Sequence, residues 1–572
     1  MKRILSMLLM LALALSLLAA CGGGGASDAT GTPTDGTPAS SDAAANASAE
    51  DAQVAKEVKV GIATDPANFE VWPAYNAGRN EMITLLYQTM ICTLPNFEDN
   101  TMTVYYILAS GYEKIDDTTY EIYVRDGIYD TNGYPFTASD AAFCYETAKA
   151  QGTLAQLNAI DHCEVVDELT FRIITNDTLA VGDFEDLLNG FYMVTQKSYE
   201  ESTDGMATTP VGTTGYVLKE YISGSRVVFE ATGDYWNSAA NESKNVADGY
   251  CYVWETKLDK VTYEIITDTS TMAIALETGA IDISADLSGT DIGLFQEGGA
   301  NADDFSAYAY PENMYALSFN THSGSVMNNY NLRMAIAHCV DSEAILNATY
   351  DGVGTTMNAW SYPSYVDYLP EWDNQPYFEY DMALAKEYLE KFYEETGTNA
   401  NTLSMKLLTM SSSTMEKTAE AVQASIATLV GNQTCCEIVS FDRATYNQEW
   451  LDPANFDLMV INFQSITRTY SVYNWNLYGN ASKNRNGSDM WYDDSEEFQS
   501  IVDAVISEDT HNDETVRAFH AYVTDNAYIK NMICGNVYVV TRNWISGFDQ
   551  CMGAKSSVAV NGLEYDWSAS AH

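Results

Sequence analysis

The sequence holds many side chains able to do chemistry and almost no spacing that would let them do it together. Its six histidines (His162, His322, His338, His511, His520 and His572) are dispersed, and no two stand one helical turn apart as metal ligands would. No HExxH, GxSxG or P-loop occurs, nor a GxGxxG placed after a strand. Of the ten cysteines, Cys92, Cys144, Cys163, Cys251, Cys339, Cys534 and Cys551 are scattered, Cys435 and Cys436 are adjacent, and no CxxC exists. Zinc and thiol redox chemistry therefore lack support, and buried thiols are the expectation. The acidic run Asp493-Asp494-Ser495-Glu496-Glu497 has no glycine where a calcium loop turns. It reads as a loop and helix start favoured by the helix dipole. With 80 acidic residues, nothing selects one carboxylate pair for glycoside hydrolysis. An enzyme, a resident metal and a cofactor are all expected to be absent.

What remains is the chemistry of contact. The chain carries 39 Tyr, 19 Phe and 10 Trp. Such rings supply large apolar area, and Tyr and Trp each keep a polar handle, which suits the holding of varied organic ligands. The formal charge of −52 would repel a phosphate backbone, so nucleic acid is excluded as a partner. A length of 572 residues allows several cores, roughly one per 100–200 residues.

One cysteine has a distinctive neighbourhood. Lys2 and Arg3 precede the uncharged run Ile4–Ala20, which is at the short limit for a membrane span and ends in small residues. Leu18-Ala19-Ala20-Cys21 resembles a bacterial lipobox, and Gly22–Gly25 follow. The resemblance implies that residues 1–21 are a lipoprotein signal peptide and that Cys21 takes a diacylglyceryl anchor. The protein would then sit on the extracytoplasmic face of a bacterial cell membrane. Two acyl chains hold firmly where one gives marginal affinity. Residues 22–55 are small and polar, and read as a flexible tether.

The elements that position the remaining groups follow from periodicity. Val58, Val60 and Ile62 alternate as in a strand, and Asn80–Met90 reads as a helix. Tyr120–Arg125 alternates, Thr137-Ala138-Ser139-Asp140 is a capping box opening a helix to Ala150, and Glu164–Thr175 reads as a hairpin. Later come strand Met314–Asn320, helices Asn331–Tyr350, Asp381–Thr396 and Thr414–Val430, strand Asp457–Phe463 and a last strand near Val537–Thr541. Strands alternating with helices predict α/β layers.

Four blocks in order then resemble a known family. The first runs Leu108-Ala109-Ser110-Gly111-Tyr112-Glu113, Tyr120–Tyr129, Pro135–Asp140, Phe143 and Tyr145. The others are Thr209–Glu220 with Asp234-Tyr235-Trp236-Asn237, Leu276–Asp282, and Ser318-Phe319-Asn320-Thr321 with Arg333–Ala337 and Asp341–Ile345. Together they resemble the family 5 extracellular solute-binding proteins of bacterial ABC transporters, which bind oligopeptides, dipeptides and nickel chelates. The resemblance implies an α/β fold, periplasmic-binding-protein-like type II, with two hinged lobes and an extra domain. Lobe 1 would be 56–92, 209–310 and 531–565, the extra domain 93–208, and lobe 2 311–530. A monomer would capture a small peptide between closing lobes and present it to ABC permease subunits. Non-peptide solutes (nickel chelates, opine-like compounds, oligosaccharides) and a sensory role without transport stay open as alternatives.

In peptide-binding members the ligand backbone pairs with strands of the protein. The matching segments here are the loop Thr64–Phe69, with Asp65 and Asn68, and the strand and loop Val460–Ile466, with Asn462, Phe463, Gln464 and Ile466. Peptide-binding relatives carry an Asp at the Ile466 position to meet the ligand's ammonium. An alkyl group cannot do that, so Asp65 is one candidate substitute, or the ligand lacks a free amine. Arg443 and Arg468 are candidates for a ligand carboxylate, and Phe463 and Tyr538 match aromatic pocket positions.

Overall fold

The computed structural model describes residues 56–572 apart from 73–76, 97–100, 153, 238–251, 362–364, 376, 465–469, 471–492, 494, 549–558 and 570–572. Cys21, the signal and tether segments, Ile466, Arg468, Cys251 and Cys551 therefore lie outside the described residues.

Eleven strands form the main sheet: β1 (Glu57–Ile62), β2 (Tyr216–Ile222), β3 (Arg226–Ala231), β4 (Lys260–Ile265), β5 (Ile283–Ser284), β6 (Phe305–Phe319), β7 (Gly354–Thr356), β8 (Met405–Met410), β9 (Cys436–Phe441), β10 (Leu458–Gln464) and β11 (Ile529–Arg542). Their order is β2-β3-β4-β1-β5-β11-β6-β10-β8-β9, with β7 also paired to β11. β1 lies parallel to both β4 and β5, with Val58, Val60 and Ile62 buried as their alternation requires.

Two long strands tie the sheet's halves together. β6 and β11 pair antiparallel from Phe305↔Arg542 to Ser318↔Ile529, with register shifts at Pro311/Asn313 and Tyr315/Ala316. One end of β11 pairs with β5, at Ile283↔Thr541 and Ser284↔Val540. The other pairs with β7, at Gly354↔Gly535 through Thr356↔Ile533. Along β11, Ile529–Gly535 and Val539–Thr541 are buried, whereas Asn536, Val537 and Tyr538 between them are half-buried. Cover is thus lost midway, where the strand passes from one set of partners to the other.

A separate four-stranded antiparallel sheet, in the order Ala109–Lys114, Thr119–Val124, Thr170–Thr175, Ile160–Val165, lies within the span 93–208. Beside it the helix Ala138–Gln151 opens on Thr137, whose amide and hydroxyl both donate to Asp140 at 2.7 Å. The hairpin expected over Glu164–Thr175 is present, turning between Val165 and Thr170.

Three expectations change. Asn80–Met90 is not a helix: it holds the end of the short helix Ala77–Asn80, a 3-10 turn Ile83–Leu85 and the two-residue strand Gln88–Thr89. Met82–Leu94 is buried on every side, so no polar face exists to make a surface helix. Its carbonyls are met from elsewhere, Leu85 O by the Thr214 hydroxyl at 2.6 Å and Tyr87 O by the Trp254 indole at 2.9 Å. Asn331–Tyr350 divides into Tyr330–Cys339 and Ser342–Tyr350, because Asp341 caps the second helix through Ala344 N at 3.1 Å. The strand expected near Val537–Thr541 begins at Ile529 and runs to Arg542, and it is not the last, since the two-residue strands Ile545–Ser546 and Glu564–Tyr565 follow. Among the described residues no helix is long and apolar enough to cross a membrane.

Candidate ligand-binding site

The candidate site lies at the edge where the parallel strands end, the usual place for ligands in α/β sheets. The loop after β1 is held without slack. Asp65 accepts hydrogen bonds from Tyr221 Oη at 2.5 Å, Gly224 N at 2.5 Å, Ala67 N at 2.7 Å and Ser223 Oγ at 3.1 Å. Burial raises its carboxyl, but those donors together outweigh it and hold the group below its ordinary range. Ala67 sits at φ 62°, which the Asp65 bond helps to hold. The half-buried Asn68 folds its side chain back to accept from Glu70 N at 3.2 Å. Phe69 is buried edge-on to Tyr221, with 5.4 Å between centroids, and its carbonyl accepts from Tyr87 Oη at 2.9 Å. A Cβ on Gly78 would stand 1.9 Å from Thr64 O, so only glycine allows the helix Ala77–Asn80 to back this loop.

The second segment is β10. It pairs antiparallel with β6, placing Asn462 opposite Tyr315, Phe463 opposite Met314 and Gln464 opposite Asn313. On its other side β10 runs parallel to β8 only at Leu407↔Leu458 and Leu408↔Met459. Beyond Met459 the two strands part while β10 continues to Gln464. The Tyr446 hydroxyl reaches Val460 O there at 3.0 Å. Tyr446 belongs to the helix Arg443–Glu449, which Asp442 opens by accepting from Ala444 N and Thr445 N. Arg443, the first residue of that helix, is exposed. Tyr538 is half-buried in the middle of β11, opposite Ala309.

One acid escaped the reading of the sequence. Asp286 follows β5 by two residues and accepts Ala63 N, the first amide beyond β1, at 2.7 Å. Burial raises its carboxyl above the ordinary range, offset only in part by that bond. Its signal was faint: a single acid two residues after a two-residue strand. Tyr221 and Gly224 were likewise missed, since their link to Asp65 spans more than 150 residues of chain.

No cluster of three or more metal-ligating side chains occurs among the described residues. Of the described cysteines, all but Cys163 are buried. Burial pushes the Cys339 and Cys436 thiols up to about 12, which keeps them protonated and inert.

Comparison with known proteins agrees with this architecture. The model of the family described as bacterial extracellular solute-binding proteins, family 5, middle region, matches residues 103–485. Heme-binding protein A of Haemophilus influenzae is 24% identical over 356 residues, covering 56% of this chain and 58% of its own. A glutathione-binding protein of Salmonella paratyphi A is 23% identical over 347 residues, covering 59% and 62%. The chain thus spans about three-fifths of the length of these curated relatives. The crystal structure of a dipeptide-binding protein from Pseudoalteromonas sp. SM9913, in complex with Met-Leu, superposes with a TM-score of 0.65 at 17% identity, covering 89% of this chain and 100% of that one. The fold is accordingly the mixed α/β, type II periplasmic-binding-protein-like arrangement. With two-thirds of its length matched by the family model, the chain belongs to the bacterial extracellular solute-binding proteins of family 5.

Proposed function

We propose that this protein is a lipid-anchored, monomeric receptor that captures short peptides between its two halves and delivers them to the permease subunits of an ABC importer. One observation carries the peptide reading: β10 continues to Gln464 after its pairing with β8 has stopped at Met459. A strand that outruns its neighbour offers main-chain donors and acceptors in register for an extended ligand backbone. Such pairing gives affinity without reading side chains. The rigid loop Thr64–Phe69 supplies the opposing wall, and Asn462, Phe463, Gln464, Tyr538 and Arg443 are the proposed contacts. The dipeptide-bound relative lends support to the same reading. Thermal melting with defined tri- to pentapeptides tests it. A binder at one hundred times its Kd adds about 2.7 kcal/mol of stability, so the melting temperature should rise with several unrelated sequences.

A second reading has an observation of its own. Ile466 brings no charge to the end of the ligand-facing segment, and one relative is named for heme. A melting temperature raised by a non-peptide solute and by no peptide would favour it.

A further inference from the structure

We propose that Asp286 is the counter-charge for an ammonium group of the bound ligand; this rests on the reading that the ligand lies between the two halves against the loop Thr64–Phe69. β5 runs antiparallel to β11, with Ile283 opposite Thr541 and Ser284 opposite Val540. The chain beyond Ser284 therefore heads along β11 in the direction of Tyr538. That is the stretch, Asn536–Tyr538, at which β11 loses its cover between two buried runs. Asp286 leaves the sheet at this opening. Its Oδ2 accepts Ala63 N at 2.7 Å, at the root of the loop Thr64–Phe69, and its own amide donates to Ser284 Oγ at 3.1 Å.

The other acids of this edge are already used. Asp65 takes four donors. Asp282 is fully buried and accepts Lys59 N at 2.9 Å, with the Arg542 guanidinium at 3.8 Å. Asp291 takes the Ser288 hydroxyl at 2.6 Å at the start of a short helix. Asp286 has one printed donor, as Asp291 does, for a carboxylate that can accept about four bonds, but of the two it is Asp286 that stands at the root of the loop Thr64–Phe69. No cation pairs with it among the described residues. A carboxylate withdrawn from water with so few donors is costly. A ligand ammonium would supply both the missing donors and the opposite charge, and a charge-assisted bond of that kind is among the strongest available.

An ammonium can come from a peptide's amino terminus or from a lysine-like side chain, and one set of titrations separates them. The full-length protein and its Asp286→Asn and Asp286→Glu variants are titrated calorimetrically with Ala-Ala-Ala, N-acetyl-Ala-Ala-Ala and N-acetyl-Ala-Lys-Ala. Melting curves without ligand establish that each variant is folded. The proposal expects an amine-bearing peptide to bind the wild type at least tenfold more tightly than N-acetyl-Ala-Ala-Ala. It expects Asp286→Asn to erase that difference and Asp286→Glu to restore part of it. Loss confined to Ala-Ala-Ala assigns the amino terminus, and loss with N-acetyl-Ala-Lys-Ala assigns a side-chain amine. Discrimination that persists in Asp286→Asn overturns the proposal. If no peptide binds the wild type, the peptide reading itself fails. Asp286 is then judged by titrating spermidine and its uncharged triacetyl derivative: loss of a spermidine preference in Asp286→Asn sustains the counter-charge, and no preference in the wild type overturns it.

Discussion

His520 stacks on Trp372 with 4.2 Å between ring centroids, buried in the helix Asp513–Asp525, and its Nε2 has no hydrogen-bond partner. Burial pushes the imidazole down from 6.5 to about 4, against a weaker opposing pull from Glu371. Between pH 6.5 and 4 the unfolded chain takes up a proton that the fold refuses. The stability this group contributes is thus full above pH 6.5 and lost as pH falls toward 4, amounting to roughly 3 kcal/mol. Denaturant titrations of wild type and His520→Phe between pH 7 and 4 should show the variant losing less stability in acid; parallel curves would contradict the assignment. Asp65 makes a second point at this scale. Asp65→Ala removes the acceptor of four donors, so amide hydrogens should exchange faster at Ala67 in the loop Thr64–Phe69 and at Gly224 in the turn between β2 and β3. Unchanged protection there would show that the loop is held by Phe69 and Tyr87 alone. The sequence marks Asp65 as a polar residue in a candidate ligand-facing loop. It could not show that Tyr221, Ser223 and Gly224 converge on its oxygens, because nothing local records a contact across so many residues.

At the scale of elements, buried cations hold helix ends by donating to main-chain carbonyls. Arg333 donates to Asn526 O through Nε and Nη2, at 3.0 and 2.8 Å, and to Met327 O and Asn328 O through Nη1, at 2.7 and 2.9 Å. Burial pushes its guanidinium down to about 10. Lysine lacks the planar fork, so Arg333→Lys should lose about 1–3 kcal/mol of stability through carbonyls left unmet. Denaturant unfolding would measure it, and a neutral result would show that water replaces the fork. Lys530 does similar work at the end of the helix Tyr330–Cys339, donating to Ala337 O, Val340 O and Phe378 O within 3.0 Å. Strands and helices with clear alternation or caps were legible in the sequence, as β1 and the helix opened by Thr137 show. The segment Met82–Leu94 was not, since a stretch buried all round has no periodicity to read. The stretch of β10 beyond its pairing with β8 was invisible for a different reason: it depends on where β8 stops pairing, and that is set by tertiary geometry. A tripeptide N-methylated at its central amide tests that stretch. Main-chain pairing predicts at least tenfold weaker binding than the parent, and equal binding would remove β10 from the site.

At the scale of the molecule, contacts away from β6 and β11 also join the span 93–208 to the span 311–530. Val181 N donates to Ile506 O at 2.8 Å, Lys114 pairs with Glu508 at 2.7 Å, and a Cβ on Gly182 would stand 2.6 Å from the Tyr470 ring. The ion pair is partly exposed and contributes little. The close approach at Gly182, at φ 77°, is more consequential. Gly182→Ala should hinder closing of the halves and weaken ligand binding several-fold; calorimetry with a peptide ligand would record it, and unchanged affinity would mean the two spans separate freely. The alternation of strands and helices announces α/β layers. It does not announce that β6 and β11, more than 200 residues apart, serve both halves of one sheet.

Whether the protein holds peptides is decided by mass spectrometry of whatever is released when the purified protein is denatured. Peptide capture predicts short peptides of mixed sequence, carrying a free amine at the terminus or on a side chain. A single non-peptide mass, such as a porphyrin or a sugar, would contradict it while leaving the family and the fold as they stand.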